Sequence, residues 1–258
     1  MKVSISRIKT FKACRRAYQL KYIEDLIPAE NPEALEIGKH YHKIIEDLNN
    51  GADIVTGEDY VGDFSKELAM ARAYMTYIYP KFKVLESEKH LTYDLGDGDV
   101  LVGIADGIAE DGHIVEHKTT GQDITEAYEY GLQWDEQILA YMLMTGMRKV
   151  WYTVIRKPTI RQKQNETDEA FFYRMIEWYD TDTEDKIRLM ELSRSDEEVQ
   201  EFLESLKAMV KEMKGTDHFY RNTCHCNMWG RRCEYSSICL HYDPNMGSIE
   251  FVRREDKE

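Results

Sequence analysis

The sequence predicts an α/β fold. Three observations carry that prediction. Apolar residues at helical spacing open the chain (Ile8, Phe11, Tyr18, Tyr22), strand-like runs separated by glycine turns fill residues 84 to 118, and helix-period segments then alternate with the apolar, β-branched and aromatic run KVWYTVI at Lys149 to Ile155. With 258 residues and 42% of them apolar, the chain can bury a full core. No internal repeat, low-complexity tract or linker interrupts it, so a single domain over residues 1–258 is expected. No run of about 18 uncharged apolar residues occurs, and the amino-terminal MKVSISRIKT carries no apolar segment. The expectation is therefore a cytoplasmic protein without membrane contact.

Taken in order, Ser4 can cap a helix from about Ser6 to Tyr22, with Cys14 one turn from Phe11 and Tyr18. Pro28 to Asn31 breaks the chain. A second helix, about Pro32 to Leu48, carries Gly38, His40, His42 and Glu46, and a third, about Phe64 to Tyr79, reads as core. Strands follow at about Val84 to Tyr93, Val100 to Ala109 and His113 to Lys118, the first two joined through Gly96-Asp97-Gly98. Glu88 on the first strand can add a carboxylate near the site, though a solvent-facing position is the expectation. In a helix from about Thr125 to Thr145, Gln133, Gln137 and Tyr141 form an uncharged polar stripe suited to phosphate or substrate contacts. After the Lys149 to Ile155 strand and a basic loop to Lys163, Thr167 caps a helix through about Tyr179. Lys186 to Leu192 reads as an edge strand, and Asp196 opens a long helix to about Lys214.

The chemistry concentrates in GIADGIAEDGHIVEHK, Gly103 to Lys118. On a strand, Glu116 and Lys118 share one face and His117 takes the other. A two-residue turn at Asp111-Gly112 would set Asp106 opposite His117. A three-residue loop, Glu110-Asp111-Gly112 with Gly112 left-handed, sets it opposite Glu116. Opposed residues have Cβ atoms about 5 Å apart, close enough for both carboxylates to reach one divalent cation. Two carboxylates and an ammonium form a minimal kit for metal-dependent phosphodiester hydrolysis. The alternative is a solvated hairpin with ordinary surface charges.

Charge and cysteine content narrow the partners. A formal charge of −14 argues against non-specific coating of nucleic acid, yet basic residues cluster locally, as at Arg7, Lys9, Lys12, Arg15 and Arg16. Of five cysteines, Cys14 stands alone while Cys224, Cys226, Cys233 and Cys239 crowd a polar, aromatic segment with little periodicity. Such a segment needs an inorganic anchor to be ordered. Cys14 with Cys226, Cys233 and Cys239 supplies four thiolates, enough for an iron–sulfur cluster or a structural Zn²⁺, and would close a very long loop. A local zinc knuckle from Cys224, His225, Cys226, Cys233 and Cys239 is the alternative.

These pieces fall in the order of a known pattern. S-x-S-x-x-x-x-F-x-x-C at Ser4 to Cys14, G-x-x-x-H at Gly38 to His42, G-x-x-D at Gly103 to Asp106, E-x-K at Glu116 to Lys118 and Q-x-x-x-Y at Gln137 to Tyr141 precede the terminal cysteines. The chain thus resembles the RecB-like branch of the PD-(D/E)XK nuclease superfamily, among members with an iron–sulfur cluster: AddB-type domains, the CRISPR-associated RecB-like exonuclease and phage-encoded relatives. The resemblance implies a central mixed β-sheet flanked by helices, the restriction-endonuclease-like core, with an iron–sulfur subregion made from residues 1–25 and 215–245. It implies that His42, Asp106, Glu116 and the carbonyl of His117 hold Mg²⁺ or Mn²⁺. Catalysis would rest on Asp106, Glu116 and Lys118, with Gln137 and Tyr141 on the strand path and a 4Fe–4S cluster on Cys14, Cys226, Cys233 and Cys239. Arg15 departs from the proline often found after the first cysteine, and the extra Cys224 leaves the second cluster ligand open. The expected activity is a metal-dependent DNA exonuclease acting on single strands or duplex ends, with protein partners in recombination, repair or phage DNA processing. A structure-specific endonuclease and a non-catalytic, cluster-stabilised DNA-binding subunit are the rivals.

Overall fold

The computed structural model describes residues 1–52, 65–228, 230–240 and 251–254. In chain order the elements are β1 (Lys2–Val3), α1 (Ile5–Ala13), α2 (Arg15–Tyr22), β2 (Leu26–Pro28), α3 (Glu33–Asn49), α4 (Ser65–Tyr77), β3 (Val84–Gly96), β4 (Asp99–Ala109), β5 (Ile114–Thr120), α5 (Glu126–Gly131), α6 (Glu136–Thr145), β6 (Lys149–Arg156), α7 (Asp168–Asp180), β7 (Ile187–Ser193), α8 (Asp196–Gly215), β8 (Asn227–Met228), β9 (Arg231–Arg232), α9 (Ser236–Cys239) and β10 (Phe251–Arg253). They group into two compact units, Met1–Pro32 with Asp94–Val102 and Leu203–Glu258, and Glu33–Tyr93 with Gly103–Phe202. The predicted start of the third helix at Phe64 and residues 241–245 of the predicted cluster subregion lie outside the described residues.

The larger unit is built on a mixed sheet. β4 pairs antiparallel with β5, setting Gly107 opposite Val115, and β3 also pairs with β4. The crossover through α5 and α6 returns the chain so that β6 runs parallel to β5. β7 then pairs antiparallel with β6. Alternation along the strands sends side chains to two cores. Ile114, Val150, Tyr152 and Val154 pack with Ile138, Tyr141 and Met142 of α6. Ile155 and Ile187 pack with Tyr41 and Ile45 of α3, Met70 and Tyr74 of α4, and Met175 and Tyr179 of α7. Both sheet faces are therefore covered by helices, as a sheet with a parallel pair requires. Burying each such side chain is worth about 1.5–3 kcal/mol.

In the smaller unit β1 runs parallel to the start of β4, and the amino-terminal ammonium lies 2.6 Å from Asp99 Oδ1. β2 pairs antiparallel with β10. Tyr235, fully buried, packs with Cys14, Ala17 and Leu20 and donates its hydroxyl hydrogen to the Leu26 carbonyl at 2.8 Å. No helix among the described residues is long and apolar enough to cross a membrane.

Two helices predicted as continuous are broken. The Ser6 to Tyr22 helix divides at Cys14, whose backbone is extended (φ −161°, ψ 119°). The break leaves Cys14 as N-cap of α2, and the Asn222 amide donates to its sulfur at 3.4 Å. The Thr125 to Thr145 helix divides at Asp135, whose side chain accepts from the Gln137 amide and starts α6 anew. Gln133 falls in a 3₁₀ turn, Leu132–Trp134, and leaves the polar stripe, so of the three predicted residues Gln137 and Tyr141 stay on one helix face.

Candidate active site and cysteine region

The hairpin between β4 and β5 has the geometry that strand parity requires. Ala109 donates to the His113 carbonyl at 2.8 Å across a three-residue loop, and Gly112 sits at φ +82°. The Gly107–Val115 and Ile108–Ile114 pairs extend to place Asp106 across from Glu116. His117 lies on the reverse face, buried, with Nδ1 2.6 Å from Thr153 Oγ1 and its ring edge-on to Tyr74 at 5.3 Å. Its backbone N–H returns to the site and donates to Asp106 Oδ2 at 2.6 Å.

Helix α3 brings His42 to the same place, its Nδ1 3.2 Å from Asp106 Oδ1. Gly38, one turn earlier on α3, faces Thr119 of β5, whose Oγ1 would lie 3.4 Å from a Cβ there, an ordinary contact. A third donor group lies beside them, and the expectation of a solvent-facing position is corrected: Glu88 turns inward. One ligand atom each of His42, Glu88 and Asp106 lies within 4.8 Å of the others. The backbone explains the inward turn, because Glu88 has φ +48°, which breaks the alternation that would have kept it outside. The sequence signal for Glu88 was only an acid within a strand.

Glu116 is 1% exposed. One of its oxygens accepts from the Lys118 ammonium, and the other, Oε2, is buried with no hydrogen-bond partner. Lys118 also donates to Gln137 Oε1 at 3.2 Å, Gln137 Nε2 donates to the Tyr141 hydroxyl at 2.6 Å, and Tyr141 donates to the Ile104 carbonyl. The two residues predicted to touch substrate thus hold the lysine in place; Tyr141 is buried and Gln137 half-buried.

Electrostatics separates these groups. Burial, reinforced by the charge of Asp106, pushes the Glu116 carboxyl up to about 8 against the pull of Lys118. Burial also works on Asp106, but its hydrogen bond to His42 and the peptide of His117 hold it below the usual carboxylate range. His42 is raised above the usual imidazole value because Asp106 outweighs its burial. Burial keeps His117 neutral, down to about 4. Burial and then Asp106 raise Glu88, while Glu116 outweighs the burial of Lys118 and raises the ammonium. The imidazole of His42 and the carboxylates of Glu88 and Asp106, converging on one point, fit a divalent cation; Glu116, predicted as a ligand, lies across the hairpin and outside that 4.8 Å group, its Oε2 buried and unpartnered.

The cysteines belong to the smaller unit. Cys14 is buried, and Cys233 and Cys239 pack against the core that contains it. The Cys226 thiol donates to the Asn222 carbonyl at 3.6 Å, and Cys233 N–H donates to the Cys226 carbonyl at 3.0 Å. Burial raises the thiols of Cys233 and Cys239, with neighbouring sulfurs adding to it. Cys224 is exposed. Among the described residues no three cysteine sulfurs lie within 4.8 Å of one another.

Compared with known proteins, the sequence matches the family model of the PD-(D/E)XK nuclease superfamily over residues 2–240. Among solved structures it is similar to a proposed exonuclease from Eubacterium rectale, at 12% identity and a TM-score of 0.52, covering 96% of this chain and 90% of that one. It is also similar to a phage-related exonuclease from Haemophilus somnus 129PT (14% identity, TM-score 0.39, 83% of this chain and 95% of that one). A third is an alkaline exonuclease from Laribacter hongkongensis (13% identity, TM-score 0.36, 83% and 88%). The likeness to the Eubacterium rectale protein is one of fold. No curated protein sequence matches the chain.

Proposed function

Because the chain belongs to the PD-(D/E)XK nuclease superfamily, we propose that it is a Mg²⁺- or Mn²⁺-dependent DNA exonuclease acting on single strands or duplex ends. The observation that carries this reading is the convergence of His42, Glu88 and Asp106 within 4.8 Å, across the hairpin from Glu116. A divalent cation there would make water acidic enough to attack near neutral pH and would offset charge on the phosphate. His42, Asp106, Glu116 and the His117 carbonyl would hold it. The His117 N–H fixes one oxygen of Asp106, so the carboxylate keeps a single orientation. Lys118, held by Glu116 and Gln137, would orient the attacking water and face the phosphate where negative charge builds. Gln137 lies beside it on the strand path, with Tyr141 bracing it from behind.

Cys14, Cys226, Cys233 and Cys239 would carry a 4Fe–4S cluster. What supports that reading is the buried sulfur of Cys14, which accepts from the Asn222 amide at 3.4 Å, and the packing of Cys233 and Cys239 against the core that contains it. The protein would act in the cytoplasm of a bacterial, archaeal or phage-infected cell, within recombination, repair or phage DNA processing.

The test is digestion of end-labelled linear and covalently closed circular DNA, single- and double-stranded, with Mg²⁺ or Mn²⁺. Linear strands should be shortened from an end and circles left intact; cleaved circles would make the enzyme an endonuclease. Asp106→Ala and Lys118→Ala should abolish cleavage while DNA binding and the cluster's absorbance near 400 nm persist. Unchanged cleavage in either variant would remove the assignment.

A further inference from the structure

Glu88 stands outside the sequence pattern that marks the site, yet the fold goes to some length to deliver it there. β3 approaches β4 across Gly107: a Cβ at that position would lie 2.8 Å from Val84 Cγ1 and 3.1 Å from the Glu86 carbonyl oxygen. Those contacts are closer than side chains tolerate, so the approach depends on a glycine next to Asp106. Two residues after Glu86 the backbone enters the left-handed region at Glu88, φ +48°. That conformation is unfavourable for a residue with a side chain and persists only where the surroundings impose it. Its result is a carboxylate within 4.8 Å of both His42 and Asp106. Placing that acid beside Asp106 without a cation is electrostatically costly. A second, independent feature is an unpartnered buried polar atom on the neighbouring strand: Glu116 Oε2, across the hairpin from Asp106, is buried without a hydrogen-bond partner.

We infer that Glu88 is a ligand of the active-site cation, joining His42 and Asp106 through a left-handed kink in β3 that Gly107 makes room for. The inference rests on the metal-dependent reading given above, and adds to it a residue that tunes cation affinity. A solvent-facing acid would gain nothing from a strained backbone and a like-charged neighbour. A ligand gains both proximity and an opposite charge on binding.

The experiment is calorimetric titration of the full chain with Mn²⁺, alongside the electron paramagnetic resonance signal of free Mn²⁺, for the parent, Glu88→Gln, Glu88→Gly and Asp106→Asn. Glu88→Gln and Glu88→Gly should each lower Mn²⁺ affinity tenfold or more. Glu88→Gly should also raise the metal-free Tm by a few degrees, because glycine suits φ +48°. Parent-like Mn²⁺ affinity in both Glu88 variants, with affinity lost in Asp106→Asn, would overturn the role of Glu88 and leave the proposed function standing. Parent-like affinity in Asp106→Asn would overturn the metal-dependent reading itself. If Glu88→Gln fails to fold, Glu88→Gly decides: a lowered metal-free Tm there would make Glu88 a structural residue and overturn the inference.

Discussion

Cation binding by this protein should release protons, and the structure sets how many. Glu116 is 1% exposed and its carboxyl is raised to about 8 by burial and by Asp106, so at pH 7 it is mostly protonated until a cation arrives. On the function proposed above, Glu116 is a ligand and must give up that proton. The cost is one pKa unit at pH 7, about 1.4 kcal/mol or tenfold in affinity. Between pH 6.5 and 8.5 the ionised fraction rises roughly 25-fold on that pKa, and Mn²⁺ affinity should rise by about that factor. His42, itself raised by Asp106, adds to the dependence at the acid end. Titration calorimetry of Mn²⁺ in buffers of different ionisation enthalpy measures the proton count directly: about 0.9 proton from Glu116 at pH 7 is expected. Glu116→Gln should remove that release and flatten the profile above pH 7. The same shift has a stability consequence. An acid whose folded pKa exceeds its unfolded value destabilises the fold as pH rises from about 4.5 through about 8. The metal-free Tm should therefore fall over that range, and Mn²⁺ should restore it. Proton release near zero at pH 7, or release unchanged in Glu116→Gln, would refute the reasoning.

Other perturbations test the surroundings. Gly103→Ala places a Cβ 3.2 Å from Tyr141 Cε1 and 2.9 Å from Met144 Cε. Met144 can move, but Tyr141 is held at the Ile104 carbonyl, so a loss of about 1–2 kcal/mol in chemical denaturation is expected, with cleavage falling more than DNA affinity. Cys14→Ser should abolish absorbance near 400 nm in anaerobically purified protein, whereas Cys224→Ser, at an exposed thiol, should leave it intact. Asp135→Ala removes the cap that restarts α6 and should cost about 1 kcal/mol by thermal denaturation. It should also lower activity, because Gln137, two residues on, holds Lys118.

Much of the site was legible before any fold was known, because its geometry is local. The period-two strand, the three-residue loop and a left-handed Gly112 are dictated by neighbours in the chain. Together they are enough to set Asp106 across from Glu116 and to send His117 to the far side. The caps at Ser4 and Thr167 were likewise readable, since a hydroxyl three residues before a free amide is a contact within one turn.

What the sequence by itself determined is therefore whatever depends on residues a turn or a hairpin apart: the strand register, the caps, the α/β alternation and the Glu-x-Lys face. Tertiary structure alone decided the rest. The extended break at Cys14 follows from an amide at Asn222, more than two hundred residues away. The inward turn of Glu88 follows from β3 pressing on a glycine in β4. Periodicity says nothing about such contacts: the extended backbone at Cys14 is open to any residue and is selected by a distant partner, whereas the φ +48° of Glu88 is unfavourable locally and persists only because its surroundings impose it.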